Sequence, residues 1–393
     1  MDRKNVVAYL LIIVISLCFF CWGLYGNRGE LITSSDKYYK AQVHLLTDVK
    51  EGHVDMGEPG SGLDSTIENK SIYFTGVFKS GPYRGKQVEM LQFIDYMYAV
   101  QPKSVTAGDN IIVSYAQDPL TSQKIWMFIE YDRIGYVIAI CLLFCAFIVI
   151  IGRKKGLATM LSLVFTCCAI FTVYIPSILN GRNIYVMTVI IAGYIILMSI
   201  ILINGINKKT LCAILGNIGG VAIAGILTTI CSHLFGLTGV VDEDCMILMY
   251  VNSAHPIDLR AVVWGSVVIG ALGAVMDVAV SLASAMNELA QHMEGRSRLK
   301  MIRSGMNIGK DAIGTMTNTL ILAYIGGSLA TVLLLISSNK TPVHLFNTEM
   351  ILVEVLQAVV GSTGILFAVP VTVVISAYLF TGRRKSDRLD AEA

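Results

Sequence analysis

Residues 261–286 read AVVWGSVVIGALGAVMDVAVSLASAM. This run holds a single charged residue, Asp277, and exceeds the roughly 20 apolar residues a helix needs to cross about 30 Å of hydrocarbon. It predicts a transmembrane helix. Working outward, comparable runs lie at about 6–25, 134–151, 157–179, 184–203, 211–234, 312–336 and 353–380. The expected fold class is therefore mainly α, a polytopic membrane helix bundle of about eight transmembrane helices. The whole chain agrees, with 54% hydrophobic and only 15% charged residues among 393 and a mean hydropathy of +0.66. An ordinary soluble protein carries about 25% charged residues. A net charge of +2 is too small to advertise a nucleic-acid partner, so a soluble enzyme, a disordered regulator and a basic nucleic-acid binder are all disfavoured.

Charge is unevenly distributed. Between Arg28 and Arg133 there are 11 Lys/Arg and 14 Asp/Glu, about 24% charged, which is the soluble norm. Elsewhere the charges cluster between apolar runs. The expected organisation is an amino terminus with a signal-anchor helix over 1–27, a β-rich domain over 28–133, a seven-helix membrane domain over 134–382 and a tail over 383–393. Arg3 and Lys4, Arg153 to Lys155, Lys208 and Lys209, Arg296 to Lys310, and Arg383 to Arg388 fall on one side of such a topology, whereas the short loops opposite hold only Arg182, Arg260 and Lys340. The positive-inside rule then places both termini in the cytoplasm and residues 28–133 outside it, in a cell membrane.

Within residues 70–132 the runs SIYFTGVF, KQVEMLQFI, DNIIVSYA and KIWMFIEY alternate with turn clusters, which argues for a small OB/SH3-like barrel. Gly108 and Asp109 read as a turn opening a strand, and residues 50–66 as a loop. No cysteine lies in this domain, so no disulfide framework is expected. His44 and His53 lack the companions a metal site needs. Cys18 and Cys21 read as apolar packing in a helix rather than redox chemistry.

A charge near the middle of a span costs at least ~2.5 to 3.5 kcal/mol, so the polar groups there need a reason. Helical spacing puts Gly270, Gly273, Ala274, Asp277, Ser281, Ser284 and Glu288 on one stripe. The next span begins SGMNIGKDAIGTMTNTLILAYIGGSL and aligns Asn307, Asp311, Gly314, Thr315, Asn318 and Leu322. Such small and polar faces suit close helix packing, with Asn318 expected to hydrogen-bond to the Asp277 helix. Asp311 can also serve as a helix-start carboxylate. In the last span Glu354 and Gln357 are one turn apart, and GSTG at Gly361 to Gly364 followed by Pro370 predicts a tilted, kinked or broken helix. The acidic run Asp242 to Asp244 reads as a solvated loop. No P-loop, HExxH, GxSxG or haem motif occurs, so no enzymatic activity, cofactor or metal is expected.

The stretches GALGAVMDVAVSLASAMNEL, SGMNIGKDAIGTMTNTLILAYIGGSL and GSTGILFAVPVT, together with SGPYRGK and the Tyr131, Asp132, Arg133 entry to the second span, resemble the YibE/F family of bacterial membrane proteins. The resemblance implies an anchor, an outer domain and a helical bundle. It implies location more firmly than activity, and the family often has a basic residue where this chain has Gln357. Two functions stay open: a permease whose polar centre at Asp277 carries a proton or cation for a small solute, and a non-catalytic envelope scaffold that binds a partner through its barrel. Expected partners are the lipid bilayer and either a second copy or a paralogous YibE/F subunit.

Overall fold

A computed structural model describes residues 3–26, 37–55, 66–95, 103–117, 124–251, 256–292, 297–337 and 341–381. The tail 383–393 and the centre of the 50–66 segment lie outside the described residues. The chain divides into two units, Ile32–Phe147 and Met1–Leu31 with Ile148–Ala393.

In chain order, helix α1 (Arg3–Gly26) precedes five strands, β1 (Tyr39–Asp55), β2 (Thr66–Phe78), β3 (Gln87–Asp95), β4 (Asn110–Gln117) and β5 (Lys124–Tyr131). They close a barrel in the order β1-β2-β3-β5-β4, antiparallel except for the parallel β3–β5 pair. Period-two alternation along β2 turns Ile72, Phe74 and Phe78 inward, where they meet Met90, Ile111 and Val113. Register shifts at Val43/Leu45 and Leu46/Asp48 bend β1, which reaches both β2 and β4. Gln92 is fully buried; its amide accepts from the Val105 amide at 2.8 Å and donates to the Lys103 carbonyl at 3.0 Å. It ties the segment before β4 to the barrel.

One sequence expectation changes here and one holds. Residues 50–55 continue β1 and pair with 66–71 of β2, where the sequence reading had a loop. KEGHVD has no apolar face, so pairing is carried by backbone bonds that leave no hydrophobic signal. Gly108 and Asp109 do open β4: the Gly108 amide donates to Val43 and the Val43 amide to Asp109.

That turn makes a testable prediction. Burial raises the Asp109 pKa, but hydrogen bonds from the Thr106 amide and hydroxyl and the charge of Lys103 outweigh it and hold the carboxyl below its usual value. A carboxylate lowered by folding stabilises above its unfolded pKa of about 3.9, and that contribution is lost as pH falls through the folded value. Protection of the amides over 103–110, relative to their intrinsic exchange rates at each pH, is expected to fall below about pH 4, and Asp109→Ala to show the lowered protection already at pH 7. Equal protection of variant and wild type at pH 7 counts against this role.

The remaining elements are α2 (Ile134–Cys168), a π-helical stretch (Ala169–Tyr174), α3 (Ile175–Leu179), α4 (Ile184–Asn204), α5 (Lys208–Leu234), α6 (Glu243–Val251), α7 (Leu259–His292), α8 (Arg298–Gly327), α9 (Leu329–Ser337), α10 (Pro342–Phe346) and α11 (Glu349–Thr381). Among the described residues six helical stretches are long and apolar enough to cross a membrane: Tyr9–Gly26, Ile134–Leu179, Ile184–Asn204, Lys208–Leu234, Leu259–His292 and Glu349–Thr381. The second is 46 residues long, about twice what one crossing needs. It is interrupted at Arg153, where φ is 49° and ψ −124°. The turn is tight, because a Cβ on Gly156 would collide with the Ile148 carbonyl.

The span read at 312–336 falls on the second half of α8, which starts at Arg298, and on α9, neither of which is among those six. Helix α8 is one-sided: Met301, Gly305 and Gly309 are buried at four-residue spacing, and a Cβ on either glycine would strike Met286, Val369 or Val373. Apolar length alone does not find such a helix. Around it α11 packs on α5, α7 and α8, with Val268, Leu272, Val275, Ile365, Ala368 and Val373 in the core. Helix α11 runs without interruption past Gly361 to Gly364 and Pro370. Its glycines are packing positions instead. A Cβ on Gly361 would lie 2.9 Å from Leu320, and one on Gly364 would lie 3.3 Å from the Gly220 carbonyl.

Candidate functional site

Helix α7 extends to His292, so Asp277 lies nearer the middle of its helix than the apolar run alone suggests. Ser266, Gly270, Gly273, Asp277, Ser281 and Glu288 are all exposed, while Ala274 and Ser284 are half-buried. Their spacing keeps them on one face, a row from Ser266 to Glu288 that rises ~33 Å at 1.5 Å per residue. Asp277 stands eleven residues from either end of the row. The opposite face, with Val268, Leu272, Val275, Leu282 and Met286, is buried. The row is thus a sheath of small and polar groups on a helix otherwise committed to the core.

The lower part of the row is open. No atom lies within 4 Å of where a Gly273 Cβ would stand, and Asp277 has no hydrogen-bond or ion-pair partner among the described residues. The Ser284 hydroxyl donates to the Val280 carbonyl of its own helix at 2.8 Å. Glu288 sits 3.6 Å from His292 one turn on, both exposed. At the other end the row closes into a node. Gln357 of α11 donates to the Ser266 hydroxyl at 3.2 Å, which donates to the Val263 carbonyl at 2.8 Å. The Tyr324 hydroxyl of α8 lies against Gly270, and Glu354 of α11 neighbours the hydroxyls of Tyr324 and Ser328. Sequence reading named Gly270, Glu354 and Gln357 but not Tyr324, Ser328 or Ser266.

Helix α8 leaves Asn307, Asp311, Gly314, Thr315, Asn318 and Leu322 exposed. Gly314 has open space around it, and the Thr315 hydroxyl bonds back to the Asp311 and Ala312 carbonyls. Asn318 makes no hydrogen bond to the Asp277 helix among the described residues. Among the described residues the two stripes are therefore uncovered rather than closed on one another, and Gly273 and Gly314 have no neighbour there to pack against.

Close packing by small residues occurs elsewhere, between α5 and α11. Gly216 and Gly220 meet Thr372, Ala368 and the Gly364 carbonyl. On this side Asn217, Thr372 and Ser376 are completely buried, and the side-chain polar atoms of Asn217 and Thr372 find no partner among the described residues. The signal in the sequence was an Asn inside the small-residue run LGNIGGVAIAG. The acidic run has a structural role: the Asp242 carboxylate accepts from the Cys245 amide at 2.8 Å and caps α6.

No curated protein and no solved structure matches the chain. Residues 140–382, which contain the row on α7, the stripe on α8 and the node with α11, match the family described as YibE/F-like protein, and this chain, a membrane protein by its helices, belongs to that family.

Proposed function

We propose that this protein is a multi-pass permease in which the row on α7 forms a polar track across the bilayer and Asp277, midway along it, takes up and releases a proton or cation. The observation that carries this reading is a continuous file of Ser, Gly, Asp and Glu about as long as the hydrocarbon is thick, with an unpartnered carboxylate at its centre. Facing lipid, that carboxylate costs at least ~2.5 to 3.5 kcal/mol. A water-lined track, covered by a second copy or by a paralogous YibE/F subunit, removes the cost, and the open Gly273 and Gly314 are suited to the approach of another helix. The reading involves no covalent step, and the solute is small or ionic.

The break at Arg153 supports counting two crossings in the 46-residue stretch; with α8–α9 this gives eight. The clustering of basic residues on one side supports cytoplasmic termini and a barrel outside the cytoplasm. The strand order β1-β2-β3-β5-β4 favours an OB-type barrel.

A second reading, an envelope scaffold, is favoured by one feature of the barrel. Trp126 packs among Tyr39, Phe78, Tyr83 and Tyr115 with ring centroids 4.9 to 5.6 Å apart, and Tyr83 and Tyr115 are exposed. Exposed aromatic clusters of this kind are common at interfaces. Proton and cation flux into vesicles carrying the purified protein, with and without residues 30–130, separates the two. The permease reading expects flux several-fold above empty vesicles that survives the deletion. Absent flux in both, with loss of complex formation on deletion, supports the scaffold.

A further inference from the structure

Arg260 is an exception to the charge asymmetry, one of three basic residues in the short loops opposite the basic side. It does not serve the topology, and among the described residues its side chain has no ion pair. It lines a recess of about 410 Å³ at the end of the bundle where α4 and α7 begin and α5 ends, together with Tyr185, Ser232, His233 and Asp258. Asp258 is partly engaged: its Oδ1 accepts from the Arg260 and Ala261 amides at 3.1 and 3.3 Å and caps α7. The recess thus offers a guanidinium fork, an imidazole and hydroxyls beside one carboxylate, Asp258, whose Oδ1 is turned to the start of α7.

Directly beneath lies a second recess of about 470 Å³, lined almost wholly by apolar groups, among them Val189, Gly193, Ile196, Ala222, Ile226 and Val268. Thr229 and Trp264 belong to both recesses. Trp264 forms the shared wall: its Nε1 donates to the Gly225 carbonyl at 2.9 Å and to the Thr229 hydroxyl at 3.1 Å, and its ring leans on Tyr185 with centroids 5.2 Å apart. Gly225 leaves room for that ring, since a Cβ there would stand 3.1 Å from it. The apolar slot spans Ile218 to Ile226 on α5, ~12 Å at helical rise, and opens sideways, with Val189, Ile218 and Ile226 all exposed.

We infer that this two-storey crevice is a binding site for one phospholipid molecule, with its phosphodiester on Arg260 and an acyl chain in the slot between α4, α5 and α7. Three observations converge on that occupant. The upper storey carries the planar cationic fork that suits phosphate oxygens. The lower storey is apolar and reached from the side, where the bilayer lies. The wall between them is a Trp and a Tyr, the residues that settle at headgroup level. A soluble phosphate ester satisfies only the upper storey, and a hydrocarbon only the lower.

Two variants separate the storeys without disturbing the bundle. Arg260 is exposed, so Arg260→Gln removes the fork alone. Gly193 has no atom within 4 Å of a built Cβ, so Gly193→Leu fills the slot from an unobstructed position. The full chain, purified in mild detergent with added phosphatidylglycerol, is examined by native mass spectrometry. The wild type is expected to retain one lipid, and each variant to retain it at about a tenth of that occupancy or less, while glycerol phosphate at equal concentration does not displace it. Undiminished retention in both variants overturns the site. Loss in Arg260→Gln alone, with displacement by glycerol phosphate, overturns the lipid in favour of a soluble phosphate ligand. Loss in Gly193→Leu alone overturns the headgroup contact.

Discussion

Vesicles carrying the Asp277→Asn protein are expected to show proton or cation flux below about one tenth of wild type, at equal protein level and with an unchanged melting temperature. The two halves of that expectation come from different facts. Asn is nearly isosteric with Asp and cannot ionise near neutral pH, so it keeps the shape of the track and removes the only charge midway along it. The fold is spared because Asp277 is exposed and has no partner among the described residues, and surface changes away from networks usually stay within about ±0.5 kcal/mol. A carboxylate that merely held helices together behaves in the opposite way, since removing a paired buried charge costs about 3 to 5 kcal/mol. Unchanged flux in Asp277→Asn sinks the coupling role, and a lowered melting temperature with normal flux per folded molecule assigns the residue to packing.

Much of this architecture was legible because hydrocarbon imposes its own length scale. The apolar runs gave α1, α4, α5 and α11 within about four residues and α7 up to its polar last turns, and the Arg153 to Lys155 cluster marked the break in the long stretch that follows the barrel. Features escaped where the stabilising interaction leaves no apolar signature. The far end of β1 is held by backbone pairing alone, and the start of α8 by a narrow face of Met301, Gly305 and Gly309. The candidate site was half legible. Spacing put the α7 residues on one face, and the structure keeps them there. Spacing says nothing about what covers a face, so the expected closure of Asn318 on the Asp277 helix did not follow. Charge does not mark α5, whose Gly216 and Gly220 pack directly on Thr372, Ala368 and the Gly364 carbonyl.

That contact yields the largest stability effect. Gly220→Leu is expected to lower the melting temperature in detergent by about 10 °C or to leave no folded protein, whereas Gly273→Leu and Gly314→Leu melt like wild type. A Cβ at position 220 would stand 2.7 Å from Val275, 2.8 Å from Ala368 and 2.8 Å from the Gly364 carbonyl. Two of those groups are on α11 and one on α7, so three helices meet at a position where only hydrogen fits. The Gly364 carbonyl belongs to a continuous helix and cannot turn aside as a side chain can. Overpacking of an ordinary core site costs about 1 to 3 kcal/mol, and a fixed backbone carbonyl on one side with the Ala368 Cβ on another puts this site at the upper end. At roughly 2 to 4 °C per kcal/mol for a chain of 150 to 250 residues, about 3 kcal/mol gives the stated shift. The hydrophobic effect cannot compensate, because lipid is as apolar as the added side chain and van der Waals fit is what holds membrane helices together. At Gly273 and Gly314 no atom of the described residues lies within 4 Å of a built Cβ, and the same substitution meets nothing among them. If those two variants keep their melting temperature but lose self-association measured by cross-linking, the open faces are where a second copy sits; an unchanged melting temperature in Gly220→Leu refutes the α5–α11 crossing itself.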